Sequence, residues 1–313
     1  MAAPCLFGSE LVAHGTLAAN LYALGNLDMK PGQKNKILEE QRGSQDMHFN
    51  IVAGRQWEEW SIKDSLIYHD TFGHLLNSAL GLSVKSVIET TAFLNTYTFL
   101  DDPTSLSFQS RQPRRSVQGY QSLWAVVDKL TIKFAADGDL TFSASGIAKM
   151  ETDITAPTIT YTQTLPFSVW ECAVTLGGGA NARLVSGSIT FNRERKQRCL
   201  LDNTQGATMG IGNRSIDYDL VIDFDAATEY IKFKAATNDA LTMLWTKNGV
   251  TIGATSHPYL SVKLGTLAYE EGEIDTDTDL PTLKVKGKAL YNVTDTSQAV
   301  VLLASTKNYQ LGT

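Results

Sequence analysis

The sequence predicts an all-β protein with short flanking helices, organised as two tandem modules over residues 1–160 and 161–313. Three observations predict it. Most apolar residues recur with the two-residue period of half-buried strands. Only two stretches, 68–80 and 225–237, carry helical spacing instead, and each follows an alternating strand. The order of strand, short amphipathic helix, further strands and a closing hairpin occurs once in each half, with 57–81 matching 217–238, 96–108 matching 241–247 and 123–150 matching 259–292.

Length agrees: 313 residues correspond to about two domains at roughly 150 residues each. Hydrophobic residues make up 43% and charged residues 19%, with a formal net charge of -6. That composition suits substantial cores and disfavours bulk attraction to nucleic acid or anionic membranes. Cys5, Cys172 and Cys199 have neither zinc spacing nor a disulfide framework, and point to a reducing compartment. Met1 to Leu24 lacks a basic n-region and contains Glu10 and His14, so no signal peptide is read there. No window holds the roughly 18 apolar residues of a membrane span.

Taken in order, residues 1–24 alternate weakly and supply an arm or a first strand. Residues 25–48 are polar and rich in glycine and charge, a long excursion that is either a solvated loop or an arm gripping a partner. Residues 47–63 read as two strands broken near Gly54. In the second, Trp60 and Ile62 share one face and Glu59, Ser61 and Lys63 the other. Tyr68, Phe72, Leu75, Leu76 and Ala79 then follow helical spacing, closed by Gly81. Strands resume at 96–99 and 106–108. The next hairpin alternates through Leu130, Ile132 and Phe134, turns at Asp137-Gly138, and returns through Leu140, Phe142 and Ala144. Residues 151–165, with six threonines and Pro157, read as an interdomain linker. The second half opens with a strand over 167–176, a Gly177-Gly178-Gly179 turn and a strand over 184–191. Its helix has Asp225 as the expected N-cap and Tyr230 and Phe233 on the apolar face. Strands at 241–245, 259–269 and 283–291 complete it.

Sites of chemistry are sparse. Glu270 to Asp279 holds six carboxylates, and Asp275-Thr-Asp-Thr-Asp opens like a calcium loop. Leu280 and Lys286 stand where glycine and glutamate are needed, so a solvated hairpin is the simpler reading. Asp217, Asp219 and Asp223 share one strand face, and Lys284, Lys286 and Lys288 share one face of a later strand. Cross-strand charge pairing explains both, and an acidic channel wall is the functional alternative. The triple glycine precedes a strand rather than a helix, which excludes a phosphate cradle. Arg111, Arg114 and Arg115 beside Tyr120 and Trp124 make a small basic cluster, suited to pairing with acidic neighbours in an assembly. His14, His48, His69, His74 and His257 show no metal spacing, and no nucleophile elbow exists. No cofactor is expected.

The segment Asp70-Thr-Phe-Gly-His-Leu-Leu-Asn-Ser-Ala-Leu-Gly81, residues 93–99 and the 130–147 hairpin resemble the major tail tube proteins of long-tailed, non-contractile (siphovirus-type) bacteriophages. Pro166-Phe-Ser-Val-Trp, Val185-Ser-Gly-Ser-Ile-Thr-Phe and residues 220–233 are similar to the same family's tube module. The resemblance covers most of residues 7–300. It implies two tandem tail-tube-like β-sandwich modules that contribute strands to an intersubunit β-barrel around a lumen. It further implies a structural virion protein polymerising into stacked rings, through which DNA passes non-specifically into the host. A duplicated module implies a homotrimeric ring with pseudo-sixfold symmetry, and a single tube module implies a homohexamer. Pro31, Lys34, Lys36, Glu39, Glu40 and Arg42 become candidates for an inter-ring arm, and Asp217, Asp219 and Asp223 for the lumen wall. The implied partners are adjacent rings, a tape-measure protein, and tail terminator and distal tail proteins, with no membrane. The implied location is the virion tail, after synthesis in the host bacterial cytoplasm. A phage decoration or receptor-binding component forming a discrete oligomer is the competing expectation. A carbohydrate-active enzyme using Glu58 or Glu59 would need a second carboxylate across a cleft.

Overall fold

The computed structural model describes residues 3–10, 12–39, 48–52, 54–111, 118–160, 164–180, 183–198, 208–210, 212–224, 228–276 and 281–309. The first half runs through β1 (Ala3–Ser9), β2 (Tyr22–Gln33), the hairpin β3 (Lys36–Glu39) and β4 (His48–Val52), and β5 (Gln56–Leu66). Helix α1 (Phe72–Ala79) leads into β6 (Leu82–Glu89), β7 (Ala92–Tyr97), β8 (Leu106–Arg111), β9 (Gln118–Ala135), β10 (Thr141–Ala148) and β11 (Thr152–Thr155). A single 3-10 turn, Val169–Glu171, introduces the second half. That half contains β12 (Cys172–Leu176), β13 (Gly179–Ala180), β14 (Leu184–Asn192), β15 (Lys196–Arg198), β16 (Thr208–Gly210) and β17 (Ser215–Asp223). Helix α2 (Thr228–Lys234) precedes β18 (Asp239–Thr246), β19 (Tyr259–Asp275), β20 (Thr282–Ala289) and β21 (Val300–Ser305). No described helix is long and apolar enough to cross a membrane.

The protein is all-β with short flanking helices. Seventeen strands join one antiparallel sheet, leaving β3–β4 and β15–β16 as separate pairs. In the first half the pairings β1–β2, β2–β5, β5–β10, β10–β9, β9–β8 and β8–β1 close into a circuit. Alternation along these strands sends Phe7, Trp60, Ile62, Phe108, Leu130 and Ile132 inward. Every residue of α1 is buried, with Phe72 packed on Phe142 at 5.2 Å between ring centroids. The C-terminal segment locks the helix: the Tyr309 hydroxyl donates to the His69 carbonyl at 3.1 Å, and Asn77 Nδ2 donates to the Tyr309 carbonyl at 3.1 Å.

The second half repeats the order. β14–β17, β17–β20, β20–β19, β19–β18 and β18–β12 follow the sequence β2–β5, β5–β10, β10–β9, β9–β8 and β8–β1. The correspondence reaches single residues. Thr141, Gly146 and Ala148 of β10 stand where Thr282, Gly287 and Ala289 stand in β20. At Gly146 an added Cβ would lie 1.9 Å from the Val126 carbonyl oxygen, and at Gly287 it would lie 1.9 Å from that of Ala268. Both glycines sit at a bulge in the partner strand: Gly146 pairs with Val127 and Gly287 with Tyr269, and Asp128 and Glu270 are the extra residues. Only a residue without a side chain lets the two backbones approach there.

Two strand pairings tie the halves together, β9 with β14 and β7 with β21. Arg193 adds a buried clip. Its guanidinium donates to the carbonyls of Leu80 and Leu100 and lies over Phe99. Burial, with Arg195 and Arg214 nearby, pulls it down to about 9.

Several elements differ from expectation. Residues 25–48 are not one polar loop: β2 extends to Gln33, and the β3–β4 hairpin follows. Asp28 and Lys30 belong to the solvent side of β2, which composition alone reads as loop, and residues 40–47 lie outside the described residues. For the N-terminal stretch the first-strand alternative holds: Ala3–Ser9 is a strand held on both sides by its own chain. Within the expected linker, Thr152–Thr155 is β11, paired with β9, and residues 161–163 lie outside the described residues. Gly138 is absent from the left-handed glycines, and the β9–β10 connection is the wider loop 136–140. The tight left-handed turn belongs to Gly177 and Gly178, with φ of 63° and 78°, between the paired Leu176 and Gly179. Helix α1 starts at Phe72 rather than residue 68, and Gly81 closes it with φ 110°. Asp225, the expected N-cap of α2, lies outside the described residues.

Candidate functional site

The candidate site is a sheet face. Eight strands run in the order β2–β5–β10–β9–β14–β17–β20–β19, all antiparallel. One side of each packs on the core, and the other presents polar side chains to solvent. In β17, Ile216, Tyr218, Leu220 and Ile222 are buried while Asp217, Asp219 and Asp223 stand on the open face. The period-two pattern puts all three aspartates there.

Their neighbours make the face mixed rather than acidic. Registry places Lys288 opposite Asp217, Lys286 opposite Asp219 and Thr282 opposite Asp223. Lys286 lies 3.6 Å from Asp219, Lys288 3.2 Å from Glu270, and Lys284 2.6 Å from Asp275. Asp217 accepts a hydrogen bond from Asn192 Nδ2 at 2.6 Å. On the first-half side, Lys133 meets Asp64 at 2.8 Å. These pairs are screened by solvent, so each contributes little to stability. Their larger effect is to cover the face with alternating charge. Of the acidic run at 270–279, residues 270–275 are the end of β19 rather than a loop, and Asp277 and Asp279 lie outside the described residues.

At the centre of the face the halves meet. β14 pairs with β9 from Ser186↔Ala135 to Asn192↔Lys129, burying Ile189 against Ile132. The Thr131 and Thr190 hydroxyls are 3.0 Å apart across this joint. Its far end is fixed by Asp128, whose carbonyl accepts from Arg193 N at 2.8 Å and whose carboxylate accepts from Arg195 N at 2.5 Å. Sequence reading missed this joint. The one local signal was the shared Thr-x-x-x-x-Gly-x-Ala of β10 and β20, which sets the two hairpins in common register.

Both ends of the face are open among the described residues. Up to Leu27 β2 is covered by β1, and beyond it β2 pairs only with β5. Up to Leu267 β19 is covered by β18, and beyond it β19 pairs only with β20. Open edges of this kind template pairing with another chain.

The arm candidates divide. Pro31 lies in β2, Lys34 follows that strand, and Lys36 and Glu39 lie in β3. Glu40 and Arg42 lie outside the described residues. Among the described residues the β3–β4 hairpin joins no other sheet, and it exposes Ile37 and Val52. Of the basic cluster, Arg111 ends β8 and is exposed, while Arg114 and Arg115 lie outside the described residues.

Glu58 does not stand with Glu59 at a cleft: it points into the core, fully buried, and accepts from the Ser122 hydroxyl. Burial pushes its carboxyl up to about 7, the Ser122 hydrogen bond opposes this, and the Glu151 carboxylate adds repulsion. Among the described residues no cluster of His, Cys, Asp or Glu could hold a metal ion. His74 is buried among Phe7, Tyr22 and Tyr309 and held neutral, down to about 3, by desolvation and then Lys307. The arrangement offers strand edges and a charged, regular wall. A family model described as phage tail tube protein matches residues 12–290. No curated protein matches the chain.

Proposed function

Because the chain belongs to the phage tail tube protein family, we propose that it polymerises into stacked rings whose inner wall is the eight-stranded polar face. The carrying observation is that face: regular, charged on one side, cored on the other and open at both ends. The repeated order of strand pairings supports a duplicated tube module. In this reading three chains complete a ring with pseudo-sixfold symmetry, the organisation suited to a long, non-contractile tail, whereas a homohexamer would follow if one half alone lined the lumen.

Asp217, Asp219 and Asp223, interleaved with Lys284, Lys286 and Lys288, would then face the passing DNA. A polyanion gains affinity by releasing counterions at clustered cations. Lysines with acidic cross-strand neighbours offer few such sites, so DNA slides without sticking. The β3–β4 hairpin is the arm in this proposal, reaching the adjacent ring with Ile37 and Val52. Closed rotation within the ring and open stacking along the axis give a filament of indefinite length. A tape-measure protein sets that length, and tail terminator and distal tail proteins cap the ends. The protein acts in the virion tail after synthesis in the host cytoplasm.

Negative-stain electron microscopy of the purified chain over a concentration series tests the proposal. Hollow tubes or stacked rings are expected. Compact particles at every concentration would instead favour a decoration or receptor-binding component.

A further inference from the structure

The joint between the two halves has an unoccupied counterpart at the ends of the molecule. Superposing the repeated registers, Lys129, Thr131 and Lys133 of β9 correspond to Glu271, Glu273 and Asp275 of β19. Likewise Ser188, Ile189 and Thr190 of β14 correspond to Asp28, Met29 and Lys30 of β2, through their shared pairing to β17 and β5. β9 is covered by β8 up to Ala125 and then by β14, whereas β19 is covered by β18 up to Leu267 and then by nothing described. The strand that would fill the vacant place is the β14 equivalent, β2, and its matching edge is open.

We infer that the edge of β19 beyond Leu267 pairs antiparallel with the edge of β2 beyond Leu27 in a second copy of this chain, in the register of the internal β9–β14 joint. This places Met29 opposite Ile274, Lys30 opposite Glu273 and Asp28 opposite Asp275 across the boundary. The inference rests on the tube reading and supplies the contact that closes its ring.

Three observations carry it. First, direction: in the order β2 through β19 the strands alternate, so β19 runs opposite to β2 of a following copy and the antiparallel ladder continues. Second, burial: Ile132 and Ile189 are fully buried at the internal joint, while Met29 and Ile274 are packed on the core but only half covered. A neighbouring strand would complete the burial of both. Third, charge: the internal Thr131–Thr190 pair is replaced at the open ends by Glu273 and Lys30, and the Lys30 side chain is 72% exposed. Asp28 meets Asp275, but each already has a lysine, Lys30 at 3.6 Å and Lys284 at 2.6 Å. Glu270 also takes the position of Asp128, the group that receives backbone N–H donors from the arriving strand at the internal joint.

Full-length chains carrying Lys30→Cys are mixed with full-length chains carrying Glu273→Cys, assembled and oxidised; Met29→Cys with Ile274→Cys provides the neighbouring pair. Disulfide-linked dimers are expected in at least one of the two mixtures. They should be at least tenfold more abundant than in the register-shifted control, Lys30→Cys with Glu271→Cys. In parallel, Lys30→Glu should reduce ring formation, and adding Glu273→Lys to the same chain should restore it. Normal rings or tubes with no cross-link above control, or no rescue by the double reversal, would overturn this pairing and leave the tube reading standing. A parent chain that forms neither rings nor tubes overturns both.

Discussion

Single side chains set the tolerances of this fold. Glu58 is buried with its carboxyl raised to about 7, above the usual value near 4.3 for the unfolded chain. The folded state therefore holds the proton more tightly. Stability from this group is fully present below about pH 4.5 and lost as pH rises through 7, a change of about 3 kcal/mol. Glu58→Gln should flatten that dependence and raise stability at pH 8, measured by denaturant unfolding at pH 5 and 8. An unchanged pH dependence would place the titration elsewhere. Gly146 and Gly287 make a matched second test. A Cβ at either would collide with a backbone carbonyl oxygen 1.9 Å away, so Gly146→Ala and Gly287→Ala should each cost about 1–3 kcal/mol. Similar losses at both sites would reflect their equivalent positions, and neutrality at either would contradict the bulge geometry.

Among elements, the β3–β4 hairpin is separate from the main sheet and β2 is integral to it. Removing 31–42 would cut into β2 and its pairing with β5, confounding assembly with folding. Replacing 36–52 by a short Gly-Ser linker spares both strands, since Lys34 N already donates to the Arg55 carbonyl at 2.9 Å. In the proposed arm role, that variant should melt like the parent and form single rings without tubes, as seen by electron microscopy. Normal tubes would remove the hairpin from inter-ring contact. The helices are unlike one another: α1 is wholly buried, whereas no residue of α2 is. α2 lies against the core-facing side of β19, with Phe233 close over Gly272 and Tyr230 packed on the core. Its periodicity was legible in sequence, but the degree of burial was not, because an amphipathic stripe does not reveal how much covers it.

At the scale of the molecule, the eight-stranded face behaves as one surface because the β9–β14 ladder makes the halves continuous. Reversing Asp217, Asp219 and Asp223 to lysine would turn alternating rows into a run of cations beside Lys284, Lys286 and Lys288. If this face lines the lumen, DNA ejection should slow at low salt and recover as salt rises, following counterion release. Ejection kinetics unchanged in otherwise normal virions would put the face elsewhere.

The sequence by itself determined strand character, the two helices, the inward and outward sets of β5 and β17, and the repeated element order. Those follow from periods of two and 3.6 residues that any short window displays. It also carried enough family resemblance in the helix, hairpin and second-half segments to suggest the tube family. The tertiary structure alone decided that β2 is a strand, that Glu58 faces the core, that Arg193 clips the halves, and that Lys286 meets Asp219 while Lys284 and Lys288 meet Asp275 and Glu270. It alone joined β9 to β14. Such pairings couple residues dozens of positions apart, and their hydrogen bonds are between backbone groups common to every residue. Local side-chain pattern therefore says that a strand exists, while the neighbour it finds is fixed only when the whole sheet closes.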